Sequence, residues 1–178
     1  MMDFTNIITE RLIIRRFRPD DWQDLYEYLS NEEVIKFEPY PVFSQEQSKI
    51  EADNRAKNNA FYAVCFKENN KLIGNLYLSK GDFDTWELGY VFGLSYQGQG
   101  YATESAKALL NYAFLHLNAR RIIAMCSSKN TSSWRLMERL GMRREGLLLQ
   151  NVSFKTDSVG TPIWMDTYAY AILKNEWS

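Results

Sequence analysis

Trp86-Glu87-Leu88-Gly89-Tyr90-Val91-Phe92-Gly93-Leu94-Ser95-Tyr96-Gln97-Gly98-Gln99-Gly100-Tyr101-Ala102 is the stretch on which the reading of this chain turns. Residues 86–92 read as a strand. Residues after 101 read as a helix, with Ala102, Ala106, Leu109, Leu110, Ala113 and Leu117 recurring on one face. A glycine-bearing turn between a strand and a helix points several backbone N–H groups at one spot, and the helix dipole adds partial positive charge there. Such a turn suits a phosphate, and here a pyrophosphate. A dinucleotide fingerprint would need G-x-G-x-x-G after the first strand of a βαβ unit. Gly98 and Gly100 fit it, but Thr103 stands at the third glycine position and several strands precede the turn. A P-loop would need G-K-[ST], which is missing. The remaining alternative is a tight turn with no ligand, against which the interleaved glutamines and the lack of proline argue.

Upstream, residues 7–17 read as one strand with Ile8, Leu12 and Ile14 as its apolar positions. Pro19 opens a helix with Asp20 and Asp21 in its first turn, and Trp22, Leu25, Tyr26 and Leu29 face the core. A short helical turn follows over residues 32–37. Glu38-Pro39-Tyr40-Pro41 must be a loop. Ser44-x-x-Gln47 is a capping box for a helix reaching about residue 58. Residues 61–66 and 72–78 are β-rich runs joined by a hairpin turn at Asn69-Asn70, and Gly81-Asp82 marks the next turn. Downstream, residues 121–127 are apolar enough for a strand covered on both faces. Asn130 caps a helix over 132–140 that Gly141 ends. Two strands, 142–154 and 162–173, flank a polar turn at 156–160. No repeat or linker interrupts the series, which indicates a single α/β (α+β) domain over residues 1–178.

Composition narrows the function classes. A chain of 178 residues, 46% hydrophobic and 24% charged, buries a full core. Its net charge of −1 argues against a general nucleic-acid binder. Arg11, Arg15, Arg16 and Arg18 are close together, and a solvated surface accounts for most of them. Cys65 and Cys126 lie in apolar strand-like runs and read as buried free thiols, without a disulfide framework or metal-ligand spacing. No signal-like or bilayer-spanning run occurs, so the expected setting is a reducing cytoplasm.

Gln97-x-x-Gly100-x-Ala102 resembles the Q/R-x-x-G-x-G/A signature of the GCN5-related N-acetyltransferases. Residues 87–91 are similar to that family's fourth strand. Asn130-x-x-Ser133 with Arg139-Leu140-Gly141-Met142 is similar to its N-x-x-S…K-L-G-F segment. Arg11-Leu12-x-x-Arg15 and Asp166-x-Tyr168-x-Tyr170 resemble the subgroup that acetylates ribosomal-protein N-termini. The resemblance implies a mixed, mostly antiparallel sheet of six to seven strands, splayed between the fourth and fifth, with about four helices on both faces. It implies acetyl-CoA in that splay, held by Tyr90, Val91, Phe92, Leu94, Gln97, Gly98, Gln99, Gly100, Tyr101, Ala102, Thr103, Asn130 and Ser133. The partner is an amine acceptor, a protein or peptide N-terminus ahead of a small-molecule amine. No direct nucleic-acid or membrane partner is implied, and a homodimer is allowed. A non-catalytic acyl-CoA-binding module is the alternative of a different class, and a nicotinamide enzyme is remote.

Acetyl transfer needs a proton acceptor, donors for the thioester oxygen and stabilisation of the leaving thiolate, but no metal. Glu87 is the base candidate, on one strand face with Gly89 and Val91, and a raised pKa beside so many aromatics would suit it. An exposed strand residue or an ion-pair partner is the equal alternative. Backbone N–H groups near residues 90–92 would hold the thioester oxygen. Asn130 either caps its helix alone or also bonds the pantetheine arm. Ser133 would approach the sulfur. Many relatives carry a tyrosine acid one turn further on, where this chain has Met137, so that role falls to Ser133, to water or to nobody. His116, the only histidine, reads as half-buried and structural, and Trp134 and the Tyr90/Phe92 stripe as core. By analogy, residues 37–40 and 152–164 border the acceptor pocket. Glu38, Asp82, Asp84 and Asp166 are the acids that would decide whether it takes polycations.

Overall fold

The run read as one N-terminal strand folds back on itself. In the computed structural model, which describes residues 4–178, it forms β1 (Ile7–Ile8) and β2 (Leu12–Arg15), paired antiparallel with Ile7 opposite Ile14. The Thr9 N–H donates to the Leu12 carbonyl at 2.9 Å and closes the turn between them. Leu12 and Ile14 are fully buried as expected, but Ile8 is 62% exposed because this fold-back puts it on the sheet edge. After a 3-10 turn at Pro19–Asp21 come α1 (Trp22–Leu29) and α2 (Gln45–Lys57), the latter opened by the Ser44/Gln47 capping box. Residues 32–37 make turns without becoming a helix, with the Ile35 N–H bonding the Asn31 carbonyl.

The strands β3 (Phe61–Phe66), β4 (Leu72–Lys80) and β5 (Thr85–Phe92) form a meander, and Asn70 takes the left-handed φ of 59° that its hairpin turn requires. Then follow α3 (Tyr101–His116), β6 (Arg121–Ser127), α4 (Thr131–Arg139), β7 (Arg143–Thr156) and β8 (Pro162–Leu173). One sheet holds all eight strands in the order β1-β2-β3-β4-β5-β6-β8-β7. It has eight strands rather than six or seven because the N-terminal run is split. The strand expected as the fourth is therefore β5. Every pairing is antiparallel except β5 with β6, which run parallel and pair only from Thr85/Arg121 to Glu87/Ile123. Beyond Glu87 they part, which is the splay.

The sheet separates two cores. Leu12, Leu76, Leu88 and Phe92 pack with Leu109, Leu110, Ala113 and Leu136 on the α3/α4 side. Ala63, Cys65 and Val91 pack with Leu25, Leu29 and Ala52 on the α1/α2 side. Each fully buried large aliphatic side chain contributes roughly 1.5–3 kcal/mol. Tyr28, which the spacing of Trp22, Leu25 and Tyr26 does not single out, is buried as well.

Several expectations change. Among the four N-terminal arginines Arg15 is the buried exception, because its guanidinium makes a two-pronged bond to Asp21, Nη1 to Oδ2 at 2.8 Å and Nη2 to Oδ1 at 2.7 Å. His116 is exposed rather than half-buried, its ring tilted against Tyr112 at 5.3 Å. β6 is not covered on both faces: Met125 is about half exposed where the strand leaves β5, and Cys126 is only partly buried there.

Candidate active site

The turn between β5 and α3 is built from both ends. Leu94–Tyr96 form a 3-10 turn, and the Gln97 side-chain amide donates to the Phe92 carbonyl at 3.0 Å, tying the turn to the strand it leaves. Gly98 and Gly100 take φ of +73° and +84°, a region glycine enters without steric penalty. Gly100 is the N-cap of α3 and no side chain caps the helix. The N–H groups of Tyr101, Ala102 and Thr103 therefore lack intrahelical partners and face outward with the positive end of the dipole.

Arg11 braces the turn from the sheet edge. Its Nη1 donates to the Gln99 carbonyl at 3.1 Å, its Nε to Glu104 Oε2 at 2.7 Å, and its guanidinium lies 4.4 Å from the Tyr101 ring centroid. Thr9 Oγ1 donates to the same carboxylate at 2.6 Å. Burial pushes the Glu104 carboxyl up, but the hydrogen bonds from Thr9 and Arg11 together hold it below the usual range. The acid in the first turn of α3 is thus compensated from the side, and the N–H groups of the turn stay free.

A cavity of about 680 Å³ runs from this turn into the splay, within the range of small-ligand sites. The Gly93 N–H bonds the Ile73 carbonyl of β4 at 3.0 Å. Strand alternation then directs the N–H groups of Tyr90 and Phe92 away from β4 and into the gap. Across the gap, the Tyr90 hydroxyl donates to the Ser133 carbonyl at 2.9 Å and lies 2.9 Å from Ser133 Oγ. Burial pushes the Tyr90 hydroxyl far up, so it stays protonated. Burial also pushes the Cys126 thiol up, against a hydrogen bond with Ser133. Asn130 caps α4, its Oδ1 accepting from the Ser133 N–H at 3.3 Å. Met137 is buried and lines the cavity as a thioether.

The two ends of the cavity differ in charge. At the turn, Arg139 lines it and donates from Nε to Thr103 Oγ1 at 3.2 Å. At the other end Glu87 and Glu38 line it, with Phe37, Pro39, Asn151, Val152 and Phe154. Glu87 is exposed and lies on the same strand face as Val91, toward α1 and α2. Glu38 is half-buried, and burial pushes its carboxyl up to about 7 against the Tyr40 hydroxyl and the Arg55 charge.

Of the residues singled out from sequence, Glu87, Tyr90, Val91, Phe92, Gln97, Gly98, Gly100, Tyr101, Ala102, Thr103, Asn130 and Ser133 all line this cavity. Leu94 and Gln99 do not: Leu94 is 52% exposed, and the Gln99 side chain turns back to the Ser95 carbonyl at 2.7 Å. Among the acids weighed for the acceptor end, Glu38 lines the cavity and Asp82, Asp84 and Asp166 lie outside it. Asp166 accepts from the Gln150 N–H at 2.8 Å, bridging the irregular pairing of β7 and β8. Sequence reasoning missed Arg139, which was seen only as part of an Arg-Leu-Gly run. It also missed the Tyr90 hydroxyl, because its partner is a helix 43 residues away.

The acetyltransferase (GNAT) domain family matches residues 11–143. The uncharacterized N-acetyltransferase YnaD of Bacillus subtilis (strain 168) is 40% identical over 97% of this chain and 99% of its own length. A solved acetyltransferase of the GNAT family from Bacillus anthracis superposes with a TM-score of 0.88 at 36% identity, covering 96% of this chain and 99% of that one. The ribosomal protein uS5-alanine N-acetyltransferase of Escherichia coli (strain K12) is 29% identical over 79% of each chain. Among the described residues, no helix is long and apolar enough to cross a membrane. With its splayed sheet, glycine turn and matching relatives, the chain is an N-acetyltransferase that belongs to the GCN5-related N-acetyltransferase (GNAT) family.

Proposed function

We propose that the cavity takes acetyl-CoA at its Gly98/Gly100 end and a single α-amine, of a peptide or protein N-terminus, at its Glu38/Glu87 end. The observation that carries this reading is the charge division of one continuous cavity, with Arg139 and free backbone N–H groups at one end and two carboxylates at the other. The residues present fit the cofactor: an uncapped helix start preceded by two left-handed glycines leaves room and donors for a pyrophosphate. Bound there, acetyl-CoA supplies an acetyl thioester.

The chain's own groups then divide the work. The N–H groups of Tyr90 and Phe92 hydrogen-bond the thioester oxygen in the gap. The Tyr90 and Ser133 hydroxyls, already linked at 2.9 Å, give a hydrogen bond or a proton to the leaving thiolate. This pair fills the role that Met137 leaves vacant, with the tyrosine coming from the strand instead of the helix. Glu87, exposed at the rim, draws the ammonium in and passes protons to solvent water. Two lining carboxylates suit one cationic amine better than a polycation. The ribosomal-protein activity of the Escherichia coli relative supports the peptide acceptor.

Mass spectrometry of acetyl transfer from acetyl-CoA tests the acceptor. A hexapeptide with a free N-terminal alanine is compared with the same peptide blocked at its N-terminus but carrying a lysine, with free alanine and with spermidine. The reading predicts the highest kcat/KM for the free N-terminus. A higher value for spermidine or free alanine overturns it.

A further inference from the structure

Glu38 differs from the other acids of the α1–α2 loop. Glu32 and Glu33 are exposed, whereas Glu38 is half-buried and lines the cavity. Beneath it lies a buried polar network. Arg55, 3% exposed, donates from Nε to Glu51 Oε1 at 2.7 Å and from Nη1 to Asn75 Oδ1 at 2.9 Å. Its guanidinium carbon lies 4.6 Å from the Phe61 ring centroid and 5.5 Å from that of Phe17. Asn75 Oδ1 also accepts from the Tyr28 hydroxyl at 2.9 Å. Glu51 is the carboxylate paired with this arginine, and among the described residues no cationic side chain reaches Glu38 at ion-pair distance. The Tyr40 hydroxyl, two residues on, and the Arg55 charge both hold the Glu38 carboxyl down against the effect of its burial.

A half-buried carboxylate without a cationic partner, facing a cavity that opens to substrate, is a site for a cation that arrives from outside. We propose that Glu38 is the general base of the acceptor end, binding the incoming ammonium and taking its proton, with Tyr40 and Arg55 as its positioning residues. The proposal rests on the amine-acceptor reading given above.

The step balances. The ammonium gives one proton to the Glu38 carboxylate, which later releases it to solvent. The freed nitrogen lone pair forms the C–N bond to the acetyl carbon as the C–S bond breaks and its electron pair leaves with sulfur. The nitrogen's second proton balances the one gained by sulfur, so each turnover releases one proton. A base with a pKa near the working pH serves this step best, and burial brings the Glu38 carboxyl to about 7. The charged and titratable groups that bear on Glu38 are Tyr40 on its own loop and Arg55 on α2, and the Glu38 charge adds to the burial that raises the Tyr90 hydroxyl on β5. Glu87 lies on the rim of the same cavity.

Two measurements test this. The first is a carbon-13 NMR titration of the glutamate carboxyls in the free protein, with Glu38→Gln for assignment. A midpoint near 7 for Glu38 is expected, and one near 4.5 contradicts the proposal. The second is the pH profile of transfer to the free-N-terminal hexapeptide. Wild type should gain kcat/KM as pH rises through about 7. Glu38→Gln should lose that limb and roughly 10²–10⁴-fold in kcat, with CoA affinity by calorimetry unchanged. Tyr40→Phe, which removes a group that lowers the Glu38 pKa, should move the limb upward. A lowered rate with the limb intact means a structural role only and overturns the proposal, as does full activity. If wild type acetylates the peptide while Glu38→Gln is unaffected, the base assignment fails alone. If wild type neither binds CoA nor acetylates any amine, the amine-acceptor reading fails and takes the proposal with it.

Discussion

The two ends of the cavity are made in different ways. The end proposed for the cofactor is a run of seven consecutive residues, 97–103, that offers backbone N–H groups and a helix dipole, with Arg11 and Arg139 reaching in from outside. The end proposed for the acceptor has no such run. It gathers Glu38 from the α1–α2 loop, Glu87 from β5 and Asn151, Val152 and Phe154 from β7. A backbone site constrains its sequence through glycines and turn residues, and so leaves a local trace. A side-chain site depends on the tertiary fold to bring its groups together.

The contrast is broken hardest by Gly100→Val. At a φ of +84° a branched side chain is strained, and even its Cβ would lie 3.3 Å from Arg11 Nη2. Losing two charge-assisted hydrogen bonds of about 1.5–3 kcal/mol each would weaken CoA binding a hundredfold or more by calorimetry, while the Glu38 titration stays where it was. Glu87→Gln sharpens the other side. As an exposed charge it is worth about 0.2–1 kcal/mol, up to roughly fivefold in kcat/KM, with CoA affinity unchanged. A hundredfold loss here, with Glu38→Gln active, would return the base to Glu87.

A stability measurement separates Glu38 from its surroundings. Its folded-state pKa is raised from 4.5 to about 7, so in that window the native state holds more protons than the unfolded one. Its contribution is fully present below 4.5 and lost as pH rises through about 7. Wild type measured against Glu38→Gln by urea unfolding should therefore lose relative stability between those values and show no further change above them. The smallest effect is expected from Tyr28→Phe, which removes one donor to Asn75 Oδ1 while Arg55 keeps its own bond there. About 1 kcal/mol and a Tm lower by roughly 2–4 °C should follow.

How much was legible follows the same division. The Ser44/Gln47 box, the Asn70 turn, the Asn130 cap and the Gly141 stop were readable because each is a local rule. The splay was readable only through family resemblance, since a parallel pair three residues long leaves no pattern of its own. Arg15 was not singled out as the buried one of the four arginines because its partner Asp21 belongs to a different element, and strand alternation says nothing about ion pairing. The N-terminal strand read as continuous because the Thr9–Leu12 turn contains neither glycine nor proline. Leu94 sits in a 3-10 turn and is 52% exposed, and the Gln99 side chain folds back on the Ser95 carbonyl, so neither side chain lines the cavity, which closeness in sequence to the glycine turn does not disclose. Glu38 was one of four acids weighed for the acceptor pocket, and only the fold separates it from the other three by setting it, half-buried, in the cavity wall.

The most direct test of a cofactor end at the glycine turn is a thermal-shift comparison of acetyl-CoA, free CoA and NAD at matched concentrations. A ligand that binds only the native state adds about 2.7 kcal/mol at a hundredfold excess over its Kd, which for a chain of this size is a rise of roughly 5–10 °C. A rise with both CoA species and none with NAD is the predicted result. No rise with CoA, or an equal rise with NAD, would contradict the assignment of the Gly98/Gly100 turn.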